Sequence, residues 1–170
     1  VGQRVRGLRA GADDWITKPA HPEEVLARTE AVVRRRKRAA PTAEEGSLEA
    51  GDLEIRGDQF QAFAGGKSAE LTRREFEVLH LLAGARGRVL QREEIYQAVW
   101  GYQMAHGDRS VDVFVRKVRQ KLEVVSPEWG YIHTHFGVGY RFEAEGGPPA
   151  TKKPLEAPAA PEPQRESASL

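Results

Sequence analysis

The chain has 170 residues, 39% hydrophobic and 30% charged, with a formal net charge of +1, a composition that suits a soluble globular protein. It contains no cysteine, which excludes a disulfide framework and a thiolate zinc site and leaves stability to packing. No run approaches the roughly 18 apolar residues of a membrane helix, and the N-terminus lacks the apolar stretch of a signal peptide, so the expected location is the cytoplasm.

The small net charge hides an uneven distribution. Residues 1 to 40 carry ten basic and five acidic side chains, residues 41 to 71 two and seven, and residues 72 to 145 eleven and ten. The useful question is whether positive charge gathers on one face.

In chain order, Gly11-Ala-Asp-Asp14 reads as a turn, Trp15-Ile-Thr17 as a short strand-like run, and Lys18-Pro19 as its stop. Pro22, at a first helical position, opens an amphipathic helix with Val25, Leu26, Thr29, Val32 and Val33 at helical spacing. It ends in the basic run Arg34 to Arg38. One strand and one or two helices cannot enclose a core, so residues 1–38 are expected to be the last part of an α/β domain. Residues 39–47, small and polar, read as a linker.

Short alternating stretches from Leu48 to Leu71, broken at Gly57-Asp58 and Gly65-Gly66, predict an antiparallel meander. Thr72-Arg-Arg-Glu75 has the form of a capping box. It opens a helix with Phe76, Leu79, Leu82 and Ala83 as its buried stripe. A second helix is predicted over Arg92 to Trp100, with Ile95, Val99 and Trp100 inward. Residues 101–107 form a loop, and Asp108 caps a third helix over 109–123. Tyr131 to Phe142 reads as a hairpin turning at Gly137-Val-Gly139. Residues 146–170, poor in apolar side chains, are expected to be a disordered tail. The predicted fold class is thus α+β: a winged helix-turn-helix over 48–145 with an N-terminal meander and a C-terminal β-hairpin, preceded by a partial α/β domain.

Helical projection of the third helix places Val111, Phe114, Val115, Val118 and Leu122 on the core side. The opposite face carries Arg109, Val113, Arg116, Lys117 and Gln120, flanked by Arg119 and Asp112. A cationic helix face is often only solvated. Here it lacks Glu, holds Val113 among the cations and precedes a glycine-pinned hairpin. Arg and Lys can hold phosphates, Arg and Gln can pair with guanine or adenine edges, and Val113 suits a thymine methyl. A helix in the major groove with a hairpin on the adjacent backbone is a coherent docking mode.

The ordered motifs L-T-R-R-E-F-E-V-L at Leu71, R-E-E-I at Arg92, V-W-G at Val99, D-R-S-V-D-V-F-V-R-K-V-R-Q-K-L at Asp108 and F-G-V-G-Y-R-F at Phe136 resemble the effector domain of OmpR/PhoB-type response regulators. R-G-L-R-A-G-A-D-D-W-I-T-K-P, with the helix after it, resembles the end of a receiver domain. The resemblance implies a two-component transcription regulator with a recognition helix touching DNA through Arg109, Ser110, Arg116, Lys117 and Arg119, where Phe114 replaces a frequent His or Tyr. Phe136 stands where such proteins often carry a minor-groove Arg, so Thr134, His135 or Arg141 is expected to contact the backbone instead. Further implications are tandem binding as a dimer on direct repeats, RNA polymerase facing loop 101–107, and a sensor histidine kinase acting on the complete protein. In the receiver part, Lys18 matches the phosphoryl-contacting lysine, Pro19 the cis proline after it, and Trp15 the aromatic switch position. Asp14 with Arg35, and Arg4 with Glu24, would pair across a receiver dimer, while Arg9 and Arg28 would repel. The phosphoacceptor, the acidic metal-binding pair and the switch Thr or Ser are absent from this sequence, so Mg²⁺ belongs only to a complete receiver.

Asp13-Asp14 reads as turn capping and salt bridging; His133 and His135, alternating on one strand face, and His106 lack the carboxylate at matching spacing that a metal site needs; the basic run, in form a nucleic-acid patch or localisation signal, reads as a solvated helix end. No paired carboxylates, Ser-His-Asp set or phosphate loop is present, and no catalytic residue, metal site or cofactor is expected. Besides DNA binding, a protein-interaction module docking on polymerase is the second reading and an enzyme the third.

Overall fold

Three segments with apolar residues at helical spacing and several short alternating ones fold into two small sheets around three helices. The structure, a computed structural model, describes residues 2–37 and 47–147. Most of the expected linker, the expected tail from 148 onward, Arg38, and the side chains of Arg35, Arg36 and Lys37 lie outside the described residues.

Two N-terminal helices, α1 (Gly2–Arg9) and α2 (Pro22–Lys37), precede a meander of β1 (Leu48–Ala50), β2 (Leu53–Arg56), β3 (Gln61–Ala64) and β4 (Lys67–Ser68). Then come α3 (Arg73–Gly84), β5 (Leu90–Gln91), α4 (Arg92–Trp100), α5 (Ser110–Val125), β6 (Trp129–His135) and β7 (Gly139–Gly146). The meander has the order β1-β2-β3-β4, and β5 joins the hairpin to make a second sheet, β5-β7-β6. All pairings are antiparallel.

Local chemistry accounts for the helix boundaries. Thr72 accepts from the Glu75 backbone N–H while Glu75 accepts from Thr72 N, a complete capping box on α3. Gly101, at φ 82°, closes α4 in a left-handed conformation that costs glycine no Cβ clash. The predicted strand at Trp15-Ile-Thr17 does not form, because no described strand lies beside it to complete a ladder.

The core gathers where α3, α4 and α5 meet. Phe76, Leu79, Leu82, Ile95, Tyr96, Trp100, Phe114 and Val118 are essentially without exposure. Burial of each large apolar side chain contributes about 1.5–3 kcal/mol. Tyr96 stacks on Trp100 at 4.8 Å and Phe114 meets the Trp100 ring edge-on at 5.4 Å. Glu75, besides its capping role, accepts from Lys121 Nζ at 2.7 Å, so one carboxylate both starts α3 and fastens it to α5. The apolar stripe expected on α2 is not buried: Val25, Leu26 and Val33 are exposed, and α2 instead turns Ala31 and Arg28 inward. Among the described residues no helix is long and apolar enough to cross a membrane.

Truncating Leu79 to Ala should destabilise the fold by about 2–5 kcal/mol through the cavity it leaves, whereas Thr72→Ala should cost about 1 kcal/mol through the lost cap. Urea denaturation followed by circular dichroism separates the two, and equal losses would contradict this ranking.

Candidate nucleic-acid interface

The core-facing stripe of α5 is the one expected, with Val111, Phe114, Val115, Val118 and Leu122 all buried. On the opposite side Arg109, Arg116 and Gln120 are exposed. Among the described residues, Arg116 and Gln120 form no hydrogen bond or ion pair, and the Arg109 guanidinium lies 3.3 Å from Asp112.

Several residues expected on this face have other work. Val113 is only 7% exposed and belongs to the core cluster, which the projection of a single helix cannot register. Ser110 is buried and donates to Asp108 Oδ1 at 2.6 Å, with its backbone N–H on the same oxygen. The cap expected at Asp108 falls instead on Arg109, whose side chain makes no capping hydrogen bond, and Asp108, one residue earlier, holds Ser110 at the start of α5. Arg119 donates to Ile132 O through Nε at 2.9 Å and Nη2 at 2.6 Å, and to Thr134 Oγ1 at 2.9 Å. Arg119 and Thr134 are therefore engaged with each other, and burial lowers the Arg119 pKa. Arg141 lies 2.9 Å from Glu143 and 3.2 Å from Glu145, so its charge is compensated along its own strand.

Three residues that sequence reasoning did not single out organise the face. Tyr140 of β7 donates to Asp112 Oδ1, Arg92 at the start of α4 reaches the same oxygen at 2.8 Å, and Arg109 approaches the other. One carboxylate thus joins α4, α5 and the wing. Burial alone would raise the Asp112 pKa, but the hydrogen bonds from Tyr140 and Arg92 outweigh it and hold the group below its usual 3.8. Burial and donation to this carboxylate push Tyr140 up to about 12. The available signal was a lone acid on a cationic helix face, one turn before Arg116.

The N-terminal segment packs against the same side of the molecule. Leu8 is fully buried, and Lys117 Nζ donates to its carbonyl oxygen while lying 5.1 Å from the Phe114 ring. Arg4 pairs with Asp108 at 3.1 Å. Arg9 faces Val113, Arg116, Lys117 and Gln120 across an open cleft of about 280 Å³. Further along, Trp100 Nε1 donates to Asp13 O at 3.0 Å, Tyr102 donates to Asp14, and Arg28 donates to Tyr102 Oη at 2.8 Å. Burial and its carboxylate acceptor drive the Tyr102 pKa far up. Loop 101–107 is thereby held at Tyr102 by α2. Within the chain, Arg4 takes Asp108, and Arg28 takes Asp14 and Glu24. The Lys18–Pro19 peptide is cis, both residues are exposed, and the half-buried Trp15 ring lies against Gly7, where an added Cβ would come within 2.2 Å. Among the described residues no three His, Asp or Glu side chains are placed to hold a metal ion.

The family described as transcriptional regulatory protein, C terminal, matches residues 66–142. The chain is 42% identical over 146 residues to the alkaline phosphatase synthesis transcriptional regulatory protein PhoP of Bacillus subtilis (strain 168), covering 82% of this chain and 61% of that protein. It therefore spans about three fifths of the length of this curated relative. Among solved structures, the Klebsiella pneumoniae RstA DNA-binding domain in complex with the RstA box is 30% identical with a TM-score of 0.53. That match covers 58% of this chain and 97% of the RstA domain. The Thermotoga maritima response regulator DrrB, an OmpR/PhoB homolog, is 35% identical with a TM-score of 0.50, over 84% of this chain and 61% of that one.

Because the folded-state pKa of Asp112 is depressed, its stabilising contribution is complete above the ordinary value of 3.8 and is lost as pH falls below it. Asp112→Asn should therefore lower stability near neutral pH and flatten the loss of stability as pH falls below 3.8. Denaturation midpoints across that window provide the check, and identical slopes for both proteins would refute the assignment.

Proposed function

This chain belongs to the OmpR/PhoB-type response regulators, a class of transcription regulators rather than enzymes, and from that premise we propose that it binds duplex DNA sequence-specifically, with α5 in the major groove. The observation that carries this reading is the pair of exposed side chains Arg116 and Gln120, without a hydrogen bond or ion pair among the described residues, set beside Arg109 on a helix that Asp112 and Arg119 fasten to the wing. Arg116 and Gln120 have the donors for guanine and adenine edges, and Arg109 and Lys117 suit phosphates. The RstA DNA-binding domain, solved in complex with the RstA box, supports DNA binding here.

Residues 1–38 are read as the end of a receiver domain and 48–145 as the effector. In the whole protein a sensor histidine kinase would set the receiver's state. Binding would take place as a dimer on direct repeats, with loop 101–107 presented to RNA polymerase. Lys117 is engaged by Leu8 O, and Arg9 stands across an open cleft from Val113. The binding-competent form is one in which α1 has left α5, and apparent affinity is proportional to the fraction of molecules in that form.

Gel shifts on duplexes selected from a randomised pool, at two salt concentrations, test the reading. Affinity should fall steeply with salt. Arg116→Ala should cost about 1–3 kcal/mol at particular base pairs, and Lys117→Ala should weaken all sequences alike. No selected duplex, together with polymerase binding that survives neutralising Arg109, Arg116 and Lys117, would instead identify a protein-interaction module.

Arg4→Ala removes the ion pair to Asp108 without touching the proposed DNA face, and it should tighten DNA binding measurably. An unchanged or weaker affinity by surface plasmon resonance would show that α1 does not limit access.

A further inference from the structure

The most exposed large apolar side chain among the described residues sits at the apex of the wing. Phe136 is 92% exposed and Val138 49%. The turn is tight: Val138 N donates to His135 O at 3.0 Å, and Gly137 takes φ 74°. At its base, Gly139 packs so closely on β5 that an added Cβ would lie 1.9 Å from Leu90 O. Both strands are tied to α5, β6 through Arg119 to Ile132 O and Thr134, and β7 through Tyr140 to Asp112. The Phe136 ring is therefore presented at a fixed place relative to Arg116, not on a wandering loop.

The chemistry of the apex selects its partner. From His133 to Arg141 the sequence contains no carboxylate, so an anionic surface meets no repulsion there. An exposed phenyl ring gains by leaving water, yet it offers phosphate no donor. A duplex provides apolar surface in the sugar walls of its minor groove and between base pairs at flexible pyrimidine–purine steps, where apolar side chains wedge and partly unstack the bases. A helix seated in the major groove leaves a minor groove within reach of a wing fastened to it.

We propose that Phe136 is an apolar wedge that enters the minor groove beside the α5 contacts and selects a deformable pyrimidine–purine step there. This rests on the DNA-binding reading above and adds a determinant of specificity that makes no ion pair. Its signature is affinity without salt dependence, since no counterion is released by an uncharged ring.

The test uses the full chain and a duplex recovered by selection with the wild-type protein, carrying 2-aminopurine at the flanking step. Wild-type protein should raise the 2-aminopurine fluorescence. Phe136→Ala should abolish that rise, weaken binding at least about fivefold, leave the slope of log affinity against log salt unchanged, and erase the preference for a pyrimidine–purine step. Phe136→Leu should retain most of the affinity, and Phe136→Arg should recover affinity with a steeper salt slope. If Phe136→Ala binds as wild type does while Arg116→Ala is impaired, the wedge is wrong and the DNA-binding reading stands. If wild type selects no duplex, both fall. If Phe136→Ala alters only self-association in sedimentation velocity, the ring faces a second copy and the proposal is overturned.

Discussion

A single half-buried carboxylate, that of Asp112, sets the geometry on which the rest of the proposed reading head depends. It lies on α5, accepts from Tyr140 of the wing and Arg92 of α4, and approaches Arg109 on its own helix. Desolvating a carboxylate is costly unless it is paired and hydrogen-bonded, and this one has Tyr140 and Arg92 on one oxygen and Arg109 on the other. Its counterpart at the other end of the contact is Arg119, whose guanidinium is occupied by Ile132 O and Thr134. Helix and hairpin thus form one body. Such pre-organisation lowers the ordering cost of binding.

The same rigidity decides which cations remain free for a ligand. Arg119 and Arg141 look equivalent to Arg116 in a list of basic residues, but their charges are engaged inside the fold. Lys117 is intermediate: its ammonium donates to a backbone carbonyl of the N-terminal segment. That segment is held by the buried Leu8 and Ala31, by Val5, Ala12 and Trp15 packed on the core, by the Arg4–Asp108 pair, and by the hydrogen bonds of Trp100 and Tyr102 to Asp13 and Asp14. Partly exposed pairs contribute little each.

Much of this was legible in the sequence. The start of α3 and the end of α4 were, because Thr72, Glu75 and Gly101 act locally. The core stripe of α5 followed from its periodicity. The two-residue strand β5 was not legible, since its only support is pairing with Tyr140 and Gly139 far along the chain. Strand β1 was blurred for a similar reason, being three residues paired across a turn at Gly51. Val113 was misplaced because a projection of α5 alone cannot register the core cluster to which it belongs. The exposed stripe of α2 reverses the usual inference from amphipathicity: the face with Arg28 and Ala31 carries the contacts, through a tyrosine and a glycine more than sixty residues away. Charge counting likewise failed to show that Arg119 and Thr134 satisfy each other, which needs the strand register as well as the helix phase.

The central claim is that α5 reads base edges in the major groove. Methylation of guanine N7 places a methyl group in that groove and nowhere else on the duplex, so interference footprinting on a selected site tests it directly. The account predicts that methylation at a short cluster of guanines abolishes binding by the wild-type protein and matters less to Arg116→Ala. Binding indifferent to N7 methylation throughout the protected region would contradict it.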